Sequence, residues 1–233
     1  MQIPLFPLPL VLLPGARLPL HIFEPRYRQM LGDILGESGS HEFGIVFRPD
    51  GVAERDIPTG HVGCVAHVDR RERLPDGRAN MFVTGTRRFR LERFVEVDRL
   101  YHVGEISTFD DAAEPTEELA PAADRLRELF HRVGTAARAL ADDADALPVL
   151  PDDPAHLAFA IAAVIDMDAP ARQRLLSSRS PAERLRDVDA LLSPAVDTLE
   201  QRAVVHDRAK SNGHGPSSHS SPPNAPPPPS PPT

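Results

Sequence analysis

His61, Cys64 and His67 stand close together in HVGCVAHVD and carry side chains that ligate transition metals. The same stretch alternates as a half-buried strand does, with Val62, Cys64, Ala66 and Val68 on one face and His61, Val65 and His67 on the other. Cys64 then points away from both histidines and a tetrahedral ion would lack ligands, so no metal site is expected. His21 and Glu24 could join a serine in a hydrolytic triad, but there is no G-x-S-x-G elbow and the serines cluster in loops and near the C-terminus. Lysine supplies the sharpest negative. The single lysine, Lys210, adjoins a Ser/Pro-rich tail, whereas a Walker A loop needs a lysine on the phosphates and a Ser-Lys hydrolase needs one as base. No catalytic residue and no cofactor is expected.

Arg70, Arg71, Arg73, Arg87, Arg88, Arg90 and Arg93 gather around one predicted hairpin and could hold phosphates. Glu72, Glu92, Glu96 and Asp98 interleave with them, the chain carries a formal charge of -8, and aromatics make up 5%. A salt-bridged, solvated sheet face is therefore favoured over a nucleic-acid interface.

These residues need elements to position them. Residues 1 to about 110 carry strand signals and residues about 114 to 207 helical ones, a segregation that predicts an α+β chain. After HVGCVAHVD, the turn LPDGRA supplies Pro75, Asp76 and Gly77, so NMFVTG should fold back as the second arm of a hairpin. Gly85 then suggests a bulge before RRFRLERF. Further strands are expected at EFGIVF and YHVGEIS.

Pro25 opens a helix whose Tyr27, Met30, Leu31, Ile34 and Leu35 recur at helical spacing, and Gly36 ends it. A second helix from near Pro115 aligns Leu119, Leu126, Leu129, Phe130 and Val133. Asp153-Pro154 starts a third with Leu157, Ile161, Val164 and Ile165 on its apolar face, and Asp168-Pro170 a fourth through Leu175 and Leu176. Ser180-Pro181-Ala182-Glu183 is a capping box leading into Leu185, Val188, Leu191 and Leu192, with Ser193-Pro194 a candidate restart.

The 233 residues are 41% hydrophobic and 26% charged, ample for a core, and Cys64 as the one cysteine forms no intramolecular disulfide. The apolar N-terminus is broken by Pro4, Pro7, Pro9 and Pro14 and falls short of the ~20 residues that span a bilayer, so a cytoplasmic protein with no membrane contact is expected. Residues 209–233 form a Pro/Ser-rich tail expected to be disordered; a solvated extension is favoured over a polyproline ligand.

The opening IPLFPLPLVLLPGARLPLHIFEPRYRQML resembles the start of the Lon substrate-binding domain family. The resemblance continues through FGIVF, GCVAHV and DGRANMFVTGTRRFRLERF, and more weakly through SPAERLRDVDALL, covering about residues 3 to 205. It implies a PUA-like pseudo-barrel β domain over residues 1–110 and a helical subdomain over 111–208. It also implies a role in holding unfolded or tagged protein segments, with a separate protease or chaperone as candidate recipient. In full-length Lon proteases the domain precedes a AAA+ motor and a Ser-Lys peptidase, so this chain is expected to be a stand-alone, non-catalytic member; homo-oligomerisation is left open.

Leu10, Leu12, Phe23, Glu24, Arg26 and Tyr27 form the expected peptide-binding set, bordering a groove along the Leu/Pro-rich first strand. A packing role for Glu24, Arg26 and Tyr27 fits equally well. Because PUA-like folds can bind RNA, the alternative is an RNA-binding module using Arg87, Arg88 and Arg90.

Overall fold

The first strand carries two prolines and is nevertheless paired on both sides, which the barrel topology makes tolerable. In the computed structural model, which describes residues 1–37 and 39–212, β1 (Gln2–Leu8) pairs antiparallel with β6 (His102–Thr108) through residues 2–5 and parallel with β3 (Glu42–Phe47) through residues 5–8. Each half of β1 thus has one paired side, and a proline nitrogen facing the other side costs no ladder hydrogen bond at Pro4 or Pro7.

The remaining strands are β2 (Arg17–Ile22), β4 (Val62–Arg73) and β5 (Ala79–Val95). The sheet order is β2-β5-β4-β3-β1-β6, and β5 also pairs with β6, so five strands close into the expected pseudo-barrel. β5 manages this by serving two partners in turn, β2 with residues 79–84 and β6 with residues 89–95. The β4–β5 register slips between Cys64 and Ala66, opposite Gly85–Arg88, which places the bulge where Gly85 suggested it. Gly85 is also pressed against β2's approach, since an added Cβ would lie 2.3 Å from the Leu13 carbonyl oxygen.

One core fills the barrel with Ile3, Leu5, Val46, Val65, Phe89, Leu91 and Ile106. The other lies outside it and collects Val62, Cys64, Ala66 and Val68 from β4. β4 is therefore buried on both faces over this stretch, not half-buried as its alternation suggested: the period sorts residues between two cores. Burial also pushes the Cys64 thiol up to about 12, which leaves it protonated and unreactive.

α1 (Pro25–Ile34) packs on the outer core, followed by a short 3-10 turn at Glu54–Asp56. The helical half is α2 (Thr116–Ala141), α3 (Pro154–Val164), α4 (Ala169–Ser177) and α5 (Pro181–Asn212). Pro194 sits inside α5, which does not restart there. Residues 213–233 of the expected tail lie outside the described residues. The outer core is continuous from Phe6, Tyr27 and Met30 to Leu126, Phe159, Leu185 and Val196, so the strand-rich and helical parts share it. Among the described residues no helix is long and apolar enough to cross a membrane.

The caps are side-chain built. Asp153 Oδ1 accepts from the Ala155 N–H at 3.0 Å and Asp168 Oδ1 from the Ala171 N–H at 2.6 Å. At α5, Ser180 Oγ accepts from the Glu183 N–H at 3.1 Å, but Glu183 takes the Ser178 hydroxyl instead of the Ser180 N–H, so the capping box is half made. Asp153→Ala is expected to cost about 1 kcal/mol in urea denaturation, because an orphan N–H at the start of α3 loses its acceptor.

Candidate functional site

The turn into α1 is held by charge. Glu24, the N-cap, makes no side-chain cap bond and instead accepts from Arg26 Nε at 2.9 Å. Arg26 reaches on to Glu54 at 2.7 Å, His102 Nε2 meets the same carboxylate at 2.9 Å, and the guanidinium lies 4.4 Å from the Tyr27 ring centroid. Burial opposes the charge on Arg26, yet its hydrogen bonds to Glu54 and Glu24 leave its pKa above the ordinary value. This clamp ties α1 to the 3-10 turn and to β6.

The expected peptide-binding residues divide accordingly. Leu12 and Tyr27 lie in the outer core, Tyr27 with its ring 3.9 Å from that of Phe6, and Leu10 packs half-buried against them. Phe23 is 59% exposed, and Phe82 on the neighbouring β5 is 50% exposed. Both lie by β2, which ends the sheet and pairs with β5 alone among the described strands. Its unpaired edge offers backbone groups to an added strand, interrupted at Pro19.

The arginines of the RNA alternative do not make a solvated basic face. Arg87 forks onto Glu42 at 2.6 and 2.7 Å. Arg90 lies over the Phe109 ring at 4.8 Å. Arg88 is 5% exposed and bridges β5 to the helical half, donating to the Leu176 and Ser178 carbonyls and to Asp111. Asp111 also receives Arg184, which is fully buried, at 2.7 and 2.6 Å, and Arg184 donates to the Ala155 carbonyl and lies 4.3 Å from the Phe159 centroid. Nothing in the local alternation of β5 marked Arg88 as interior, because the element that covers it comes from a distant part of the chain.

A surface the sequence reading missed lies among the helices. Arg125 meets Asp189 and Arg132 meets Glu200, so α2 and α5 advance in the same direction. Between them runs an apolar groove of about 530 Å³, lined by Phe130 and Val133 of α2, Leu191 and Ala195 of α5, and Val164 at the end of α3. Val164 and Leu191, expected on buried stripes, are 52% and 43% exposed. One wall is the chain's own segment between α2 and α3: the Leu147 side chain lies over Gly134, where an added Cβ would come within 2.7 Å of it. The Leu147-Pro148-Val149-Leu150 run between acidic residues was a visible signal for an apolar segment here; Leu147 and Pro148 line the groove, while Val149 is 98% exposed.

A family model described as the ATP-dependent protease La (LON) substrate-binding domain matches residues 2–193. The chain belongs to this family. Among its relatives, Lon protease 2 of Herpetosiphon aurantiacus is 31% identical over 143 residues, covering 60% of this chain and 17% of that protease. Lon protease 1 of Myxococcus xanthus is 25% identical over 218 residues, covering 90% of the chain and 26% of the protease. The chain thus spans about a quarter or less of these proteases, and what it matches is their substrate-binding part. A Lon N-terminal domain protein from Xanthomonas campestris superposes with a TM-score of 0.58 at 27% identity, over 82% of this chain and 98% of that one. The N-terminal domain of a Mycobacterium avium complex Lon protease superposes at 0.62 with 19% identity, over 83% and 98%, a likeness of fold. The family match thus runs from β1 into the first half of α5, and the likeness of fold covers most of the chain.

Proposed function

We propose that this Lon-type domain holds extended, apolar segments of client polypeptides in the groove between α2 and α5 and performs no chemistry on them. The observation that carries this is the groove's own wall: an irregular stretch of the same chain already lies there, with Leu147 seated over Gly134 and Pro148 beside it. Exposed Val164 and Leu191 offer burial to a further segment, each side chain contributing up to about 1.5–3 kcal/mol when fully covered. The match to a substrate-binding domain model over residues 2–193 supports a binding role, with handover to a separate protease or chaperone as its purpose. Phe23 and the open edge of β2 supply a second reading of where the segment sits.

Fluorescence anisotropy with a reduced, alkylated and permanently unfolded protein tests the reading. Leu191→Asp is expected to weaken binding at least tenfold, about 1.4 kcal/mol, with unchanged circular dichroism. Loss in Phe23→Asp with Leu191→Asp unaffected would move the site to β2. Equal binding of the same client in its folded state would sink the proposal altogether.

A further inference from the structure

Where α1 meets the tip of the β4–β5 hairpin, a cleft of about 180 Å³ is lined by Arg28, Leu31, Arg71, Arg73, Gly77 and Ala79. Arg71 and Arg73 pair across the sheet with Met81 and Ala79, both buried, so they share the face that looks toward α1. Arg70 and Glu72, opposite exposed Phe82 and Asn80, belong to the other face. Arg28 enters from α1 and is accommodated by the turn itself. Gly77 adopts φ +81°, and a Cβ there would lie 2.1 Å from an Arg28 terminal nitrogen. The hairpin turn is thus shaped around a guanidinium.

Nearby carboxylates are engaged elsewhere: Asp76 with Arg78, Glu24 with Arg26, and Asp33 with Arg99 and Tyr101. Among the described residues, none of Arg28, Arg71 and Arg73 has a carboxylate within 4.0 Å, although the whole chain carries a charge of -8. Three guanidinium side chains lining one cleft give it a positive potential that favours an anion, and guanidinium forks match the oxygens of phosphate. A cleft of this size admits one such group with a few waters, each of which takes about 30 Å³ of liquid volume. RNA would need a continuing basic track, and Arg87 and Arg88 are spent on internal partners.

We infer that Arg28, Arg71 and Arg73 form an anion site that takes one phosphate group, free or carried on a peptide. The site is built from elements other than the α2/α5 groove, so it stands or falls independently of client binding there.

Isothermal titration of the full chain at fixed ionic strength, with inorganic phosphate in one arm and a phosphoserine peptide against its unphosphorylated form in the other, tests this. Saturable binding in either arm that weakens at least tenfold in Arg71→Gln/Arg73→Gln and in Arg28→Gln, but not in Arg70→Gln, supports the site; the arm that responds names the source. No saturable binding in either arm, or binding that Arg70→Gln weakens as much as the cleft variants do, overturns it. Because Arg28, Arg70, Arg71 and Arg73 are exposed, the circular dichroism of each variant is expected to match that of the wild-type protein.

Discussion

Asp111→Ala is expected to destabilise the protein by about 3–5 kcal/mol in urea denaturation, because it strands two guanidinium groups in the interior. Arg88 is 5% exposed and Arg184 fully buried, and Asp111 is the carboxylate between them. The carbonyls of Ser178, Leu176 and Ala155 satisfy part of their hydrogen bonding but offset no charge. By contrast, Arg125–Asp189 spans the outside of α2 and α5 with an exposed arginine, and Asp189→Ala is expected to cost under about 1 kcal/mol. Equal losses in the two variants would show that water reaches Asp111 and relieves its partners.

The same aspartate sets an acid limit. Burial works against its ionised form, but the hydrogen bonds and charges of Arg184 and Arg88 prevail and hold its pKa below the usual carboxylate value. A lowered folded-state pKa means that its stabilisation is complete above the unfolded value, 3.8, and is lost as pH falls through the lower folded one. The wild-type protein should therefore shed this contribution below about pH 4, a loss that Asp111→Ala cannot show.

Phe89→Ala is expected to cost about 3–5 kcal/mol by emptying the middle of the barrel, read as a lower urea midpoint with an unchanged slope. The Phe89 ring reaches across the lumen into space that two glycines leave open. A Cβ at Gly63 would lie 2.4 Å from its Cζ, and one at Gly44 2.8 Å. Gly63→Ala should itself cost about 1–3 kcal/mol, since the added carbon also meets the Ile45 carbonyl oxygen at 2.6 Å and backbone cannot rotate away. If shrinking the ring in Phe89→Leu fully rescued Gly63→Ala, that carbonyl contact would be shown to yield.

Local signals were legible where one residue's own physics decides the outcome. Pro25 opened α1, Asp153 and Asp168 capped α3 and α4, and Pro75-Asp76-Gly77 turned the hairpin, with Gly77 at positive φ and the Asp76 carboxylate accepting from the Arg78 N–H. Gly85 marked its bulge. The candidate site was less legible, because exposure depends on what else packs nearby. Val164 and Leu191 have helical spacing identical in kind to that of buried Leu157 and Val188, and no periodicity states whether a second element covers them.

By itself, then, the sequence determined most of the elements and their order, and it places its one lysine at Lys210. It also carried the long opening motif that marks the Lon substrate-binding family. Only the tertiary structure decided that β5 closes the barrel by changing partners, that Arg88 is an interior bridge, and that α2 and α5 leave a groove open between them. The physical reason is range. Caps, turns and periods arise from atoms a few residues apart, whereas burial is settled by segments that meet across the fold, as Arg88 of β5 meets Asp111 and the Ser178 carbonyl.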